Sequence, residues 1–227
     1  MKPEKILLLE PGKSQVDTVL QDEMAQLWAH LVTLSEKAGS PWKKIGIVSS
    51  TSREGSTTTA IALVRYLVYG LQKTACLVEA NLRKPVLGRL LPRLKKGPGF
   101  REILEGTAQV DETVHLLDPR GLSVLPAGRE EGMGGYPSGE GLAQALDRLG
   151  ELFDAVVLDC PPLGLAAEAH YLLKGVDAAV LVVRARKTHL ETISQSLKTI
   201  RHLEKPLGGV VMNDVVHSLP GPIRALF

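Results

Sequence analysis

This chain is short of several things, and each shortage narrows what it can be. Aromatic residues make up only 4% of its 227 residues, against 44% hydrophobic residues overall. Its core is therefore expected to be aliphatic, and its apolar content is too high for disorder. The net charge is +2, too small to argue for a nucleic-acid partner. No apolar run is long enough to span a bilayer. The opening MKPEKILLLEPGK holds four apolar residues before Glu10 and Pro11, too few for the apolar region of a signal peptide. A cytoplasmic protein is the expectation. There are two cysteines, Cys76 and Cys160, both in strand-like apolar contexts. They form no CxxC and no metal-ligand pattern, so reduced, buried thiols are expected. The six histidines, His30, His115, His170, His189, His202 and His217, show no ligand spacing.

The most informative absence is a single lysine. Residues 45–49 (IGIVS) read as a buried strand and 57–70 (TTTAIALVRYLVYG) as a helix. Between them lies Ser50-Thr51-Ser52-Arg53-Glu54-Gly55-Ser56-Thr57, in the strand-to-helix setting of the phosphate loop G-x-x-x-x-G-K-[ST]. Gly55 and Thr57 fit that template. Ser56 stands where the lysine belongs and Ser50 where the first glycine does. Arg53 and Ser50 also lack glycine's tolerance of positive φ. A charge-assisted hydrogen bond contributes about 1.5–3 kcal/mol. Losing the lysine should therefore weaken phosphate binding by roughly 10- to 100-fold.

Around this loop, strands and helices alternate. Strands are expected at 45–49, 75–80, 122–126, 154–159, 177–184 and 208–212, all short and nearly continuous apolar runs of the kind buried on both faces of a parallel sheet. Helices are expected at 19–38, 57–70, 99–105, 139–152, 167–174 and 188–203. The alternation predicts an α/β fold, doubly wound, with a mostly parallel sheet flanked by helices. The chain divides into an arm (1–18), one domain (19–216) and a tail (217–227). Residues 127–139 are glycine-rich and read as a loop over the sheet edge.

Ligands of such folds bind beyond the carboxyl ends of the strands, which directs attention to four places. The degenerate loop is either a serine-rich turn capping a helix or a weak phosphate site. Gly55, Ser56, Thr57 and Thr58 are its cofactor-binding candidates, and Thr57 could give a hydroxyl to a metal. Glu79 ends a buried strand, where an isolated carboxylate is costly; it pairs with Arg83 or holds a metal-bound water. Asn81, two residues on, is a poorer magnesium ligand than a carboxylate. Asp159 follows the apolar run Val156-Val157-Leu158, in the position of a Walker B aspartate holding magnesium. The bland reading is a loop cap. Asn213 follows the last strand and either reads an adenine edge through its amide or makes a turn. Arg89, Arg93, Lys95 and Lys96 read as a solvated face or, less favourably, a polyanion or membrane contact.

The order and spacing of IGIVSSTSREGSTTTAIALVRYL, CLVEANLRKPVLGRLL, GFREILEGTAQVDETV, LSVLPAG, FDAVVLDCPPLGLAAEA and VDAAVLVVRARKTHLETI followed by LGGVVMND resemble a bacterial tyrosine kinase (BY-kinase) domain of capsule and exopolysaccharide biosynthesis. The resemblance covers most of residues 19–216. It implies the deviant P-loop ATPase fold shared with partition and cell-division ATPases, and ATP with magnesium as cofactor. It places the family's lysine at Ser56, its two further acids at Glu79 and Asn81, its Walker B acid at Asp159, its magnesium-binding hydroxyl at Thr57 and its adenine-contacting asparagine at Asn213. Residual catalytic roles would fall to Asp159 and Glu79, and metal roles to Thr57 and Asp159. The chain departs from the family pattern at Ser56 and Asn81. It has no tyrosine after Tyr171, and it lacks the arginines of the oligomerisation helix near 23–31.

These departures imply a pseudokinase, a regulatory protein of exopolysaccharide synthesis or export that acts by protein binding. Its ATP or ADP with magnesium would be weakly held or absent. The resemblance implies a membrane-spanning chain-length regulator or another assembly protein as partner, homo-oligomers, and a place at the inner face of the membrane through that partner. The alternative is an active ATPase or tyrosine kinase using Arg53 or a partner-supplied lysine. A third reading, a partition-type ATPase, is weakened by the lack of a C-terminal basic amphipathic helix and by the near-neutral charge.

Overall fold

The structure is a computed structural model, and it describes residues 15–91, 94, 97–129 and 139–214. Most of the expected arm, the stretch 130–138, Arg93, Lys95, Lys96 and the tail from 215 onward lie outside the described residues.

Apolar runs become strands where both faces can be covered, and that is what the sheet shows. Strands β1 (Lys44–Ser49), β2 (Ala75–Glu79), β3 (His115–Asp118), β4 (Leu122–Leu125), β5 (Ala155–Asp159), β6 (Ala178–Arg184) and β7 (Leu207–Asn213) form one sheet in the order β3-β4-β2-β5-β1-β6-β7. Every pairing is parallel except β3 with β4. The helices are α1 (Gln15–Lys37), α2 (Ser56–Arg65), α3 (Leu87–Leu90), α4 (Phe100–Leu104), α5 (Val110–Thr113), α6 (Gly139–Leu152), α7 (Ala167–Lys174) and α8 (Leu190–His202).

Two cores lie on the two sheet faces. Ile45, Ile47, Leu77, Val157 and Val180 point toward α1 and α2. Val48, Val78, Leu158 and Leu181 point toward α4, α6, α7 and α8. Each fully buried branched side chain contributes about 1.5–3 kcal/mol relative to exposure. Gly46 has a packing reason, since a Cβ there would stand 2.9 Å from Leu173 Cδ2 and push α7 off β1. Cys76 and Cys160 are buried free thiols, and burial pushes both pKa values up.

The strand and helix expectations hold with five differences besides one-residue shifts of ends. Helix α1 begins at Gln15, four residues before the expected 19 and inside the expected arm. The edge strand β3 is absent from the sequence reading, because HLLD is half-exposed and carries no apolar run. The short helices α3 and α5 are single turns without amphipathic period. The helix expected at 57–70 stops being α-helical at Arg65 and continues as a π-helical turn over Tyr66–Gly70. Helix α8 begins at Leu190 rather than 188, because His189 is extended and the Thr188 hydroxyl is engaged elsewhere.

The topology positions the site. The strand order reverses direction around β1, between β5 and β6, and sheets of this kind bind ligands at the carboxyl ends there. The loop after β1 and the last residue of β5 meet at that point, through Thr57 and Asp159.

Candidate functional site

The loop from Ser50 to Gly55 is held by side chains of this same chain. Glu54 is 4% exposed although it sits in a loop. Its carboxylate accepts the Thr51 backbone N–H at 2.8 Å, the Thr51 hydroxyl at 3.0 Å and the Thr188 hydroxyl from the turn after β6. Asn213, closing β7, donates its amide to the Glu54 carbonyl at 2.9 Å. Ser196 of α8 donates to the buried Ser50 hydroxyl oxygen at 2.9 Å. The loop is thus tied to β6, β7 and α8.

Gly55 is required twice over. Its φ is +100°, and a Cβ there would stand 2.1 Å from Asn213 Nδ2. Arg53 occupies the left-handed region at φ 67° without being glycine, so the loop does adopt the conformation that its sequence disfavours. The Arg53 side chain is exposed.

Ser56 opens α2, and Thr57 follows with its hydroxyl donating to Asp159 Oδ2 at 2.6 Å. Asp159 is 3% exposed, and its Oδ1 has no hydrogen-bond partner. Burial, reinforced by the charge of Glu79, pushes its pKa up to about 7, against the pull of the neighbouring Thr57 and Ser56 hydroxyls. A buried carboxylate with an orphaned oxygen beside a hydroxyl suits a divalent cation or a proton. Among the described residues no three His, Cys, Asp or Glu side chains gather as a metal cluster. Magnesium held here would therefore draw on Thr57 and Asp159, with the remaining ligands from water or phosphate. Thr58 is exposed on the first turn of α2.

Glu79 neighbours Asp159 in register across β2 and β5. Its oxygens are already engaged. Oε1 accepts the backbone N–H groups of Val86 and of Leu87, the latter at 2.6 Å, and Oε2 accepts that of Ala127 at 3.2 Å. Burial raises its pKa, and those three N–H groups oppose the rise. The expected alternative partner, Arg83, bonds elsewhere: its guanidinium donates to Glu168 Oε1, with Nε at 2.7 Å. In the loop after β2, Leu82 stays in the core while Arg83 is exposed and reaches Glu168 of α7. Asn81 Oδ1 accepts the Lys84 N–H at 3.3 Å, a local turn contact.

The structure therefore brings Gly55, Ser56, Thr57, Asp159 and Glu79 together at the carboxyl end of the sheet, with Asn213 bound to the loop backbone. Sequence reading passed over Glu54, Thr51, Thr188 and Ser196. The one local signal was an acid directly before the loop glycine; the hydroxyl partners at 188 and 196 had none.

No protein-family profile matches the chain. Among curated proteins, tyrosine-protein kinase CpsD of Streptococcus pneumoniae serotype 4 is 25% identical over 211 residues, covering 90% of this chain and 89% of that one. Tyrosine-protein kinase YwqD of Bacillus subtilis is 27% identical over 173 residues, covering 75% and 72%. The chain is thus similar to BY-kinases over most of its length. Solved structures agree on the fold. The chimerical protein CapA2B2 superposes with a TM-score of 0.76 at 19% identity, over 95% of this chain and 92% of that one. The septum site-determining protein MinD of Pyrococcus horikoshii, complexed with Mg-ADP, gives 0.63 at 17% identity over 80% and 75%. The chain thus has a P-loop NTPase fold with a seven-stranded, mostly parallel sheet. No helix among the described residues is long and apolar enough to cross a membrane.

Proposed function

We propose that this chain is a kinase-like regulatory protein of exopolysaccharide or capsule biosynthesis or export, a pseudokinase with a degenerate ATP site that acts by binding another protein. The observation that carries the reading is Ser56 at the first position of α2, facing Asp159 with no ammonium group from the loop. Phosphoryl transfer depends on positioned cations around the transferring group. Here the site retains acids and hydroxyls, and the described loop carries Ser56 where that cation would stand. The tethers through Glu54 and Asn213 support the same reading, because they hold the loop without a ligand. The family likeness supports a membrane-spanning chain-length regulator or a similar assembly protein as partner, and so a place at the inner membrane face. The chimerical nature of CapA2B2 fits a domain that works joined to another component.

The second reading is an active ATPase or tyrosine kinase in which Arg53, or a lysine from a partner, replaces the missing cation. It is favoured by one observation: Arg53 is exposed and makes no ion pair among the described residues. Thermal melts with and without ADP or ATP plus magnesium separate the two. A ligand at about 100 times its dissociation constant stabilises by about 2.7 kcal/mol. A flat response, together with no ATP hydrolysis and no tyrosine phosphorylation, is expected. Robust turnover abolished by Arg53→Ala would establish the second reading instead.

A further inference from the structure

We propose that the β7–α8 edge of the molecule is a homodimer interface, in which a second copy of this chain lays its own β7 antiparallel against the first. The inference is independent of whether the loop takes nucleotide.

The two edges of the sheet are built differently. Strand β3 has four residues, and Asp118 at its end is bonded to Arg120. Short, charged edges of that kind resist pairing. Strand β7 has seven residues, LGGVVMN, with no charged side chain. Each edge strand carries one register shift, β3 against β4 and β7 against β6 at Gly208, and β7 then runs in regular register from Gly209 to Asn213. Strand β7 pairs with β6 alone, so among the described residues its outer row of N–H and C=O groups meets no strand. Long apolar edges of this kind pair with other chains unless something covers them.

The side chains beside that edge are also uncovered. Val210 lies in register with Leu181, and Met212 with Val183. Side chains in register share a face, so both lie on the α8 side of the sheet, where Leu181 and Val183 are core and Ile193 and Leu197 pack on it. Yet Val210 is 46% and Met212 55% exposed, and Leu190 at the start of α8 is 80% exposed. These residues make an apolar strip along the seam between α8 and β7.

The strip and the edge are complementary to themselves. A free strand edge offers donors and acceptors in alternation, which a two-fold axis matches antiparallel. Helix α8 runs opposite to β7, because it returns the chain from the end of β6 to the start of β7. Pairing β7 with its copy sets the two α8 helices antiparallel on one face, with Val210 and Met212 of both chains between them. Helix α8 carries Glu191 in its first turn and Arg201 and His202 in its last. The two-fold then sets the acidic end of each helix alongside the basic end of the other. A partner of different sequence would need that pattern by coincidence; a second copy has it by symmetry.

The test is sedimentation equilibrium of the full chain across a concentration series. A monomer–dimer equilibrium is expected. Met212→Lys and Leu190→Glu should each weaken it by at least about tenfold, with unchanged melting of the dilute protein, since both side chains are exposed. Glu191→Arg should weaken it, and adding Arg201→Glu should restore it. Val210→Cys, at the centre of the strand, should cross-link two chains under oxidation. A monomer at every concentration would overturn the proposal. So would a dimer indifferent to Met212→Lys and Leu190→Glu, or a charge exchange that fails to restore association.

Discussion

Position 56 is where a single side chain separates this molecule from a working phosphate site. A lysine introduced there would supply a charge-assisted hydrogen bond of about 1.5–3 kcal/mol. Ser56→Lys is therefore expected to tighten nucleotide binding by roughly 10- to 100-fold, read by isothermal calorimetry with ATP and magnesium. An unchanged affinity would show that the loop tethers, not the missing cation, close the site. Asp159 makes the second residue-scale prediction. In the folded chain its pKa stands at about 7, against about 3.9 for an exposed aspartate. The folded state binds this proton more tightly than the unfolded chain does. The associated stability is fully present below the unfolded value and is lost as pH rises through about 7. Asp159→Asn removes that loss while keeping an oxygen for the Thr57 hydroxyl. The variant should gain on the parent from about pH 4 upward, by on the order of 4 kcal/mol once pH exceeds 8. Urea unfolding at about pH 5 and pH 8 checks it: a stability difference that does not widen with pH would contradict the assignment.

At the scale of elements, Glu79 ties β2 to its neighbours. From the sequence it is an acid at the end of a strand, open to a metal role or an ion pair. In the fold it joins three elements, because its carboxylate receives the first N–H groups of α3 and the N–H of Ala127 beyond β4. Glu79→Ala would leave three backbone donors without this acceptor, at roughly 1–3 kcal/mol for each buried group left unsatisfied. A loss of at least about 3 kcal/mol in urea unfolding is expected. A loss below about 1 kcal/mol would return Glu79 to a purely functional role. The parallel strands and the longer helices were legible, since their apolar runs and helical spacing are local. Strand β3 and the turns α3 and α5 were not, since four-residue elements hold no full period and are formed by what packs on them.

The whole molecule sets a hierarchy of protection. Strands β1, β5 and β6 lie at the centre of the sheet and are buried almost throughout, while β3 and β7 are half-exposed edges. Amide hydrogen exchange should proceed by global unfolding in the central strands and by local opening at both edges. If β7 pairs with a second copy, its amides, and not those of β3, should gain protection as concentration rises. Equal behaviour of the two edges would count against the dimer.

The alternation of apolar runs with helical periods, the place of the phosphate loop and the vacancy of its lysine were all readable from residue order, because each depends on neighbours a few positions apart. The tertiary structure alone decided what the functional side chains touch. Asn213 and Glu54 are 159 residues apart, Thr188 and Glu54 are 134 apart, and Glu79 and Ala127 are 48 apart. Contacts at such separations follow from the order of strands in the sheet, which no local pattern encodes. They give Asn213, expected to read an adenine edge or make a turn, a contact to the loop backbone, and they make a loop glutamate without a sequence signal the group that ties the loop to the turn after β6.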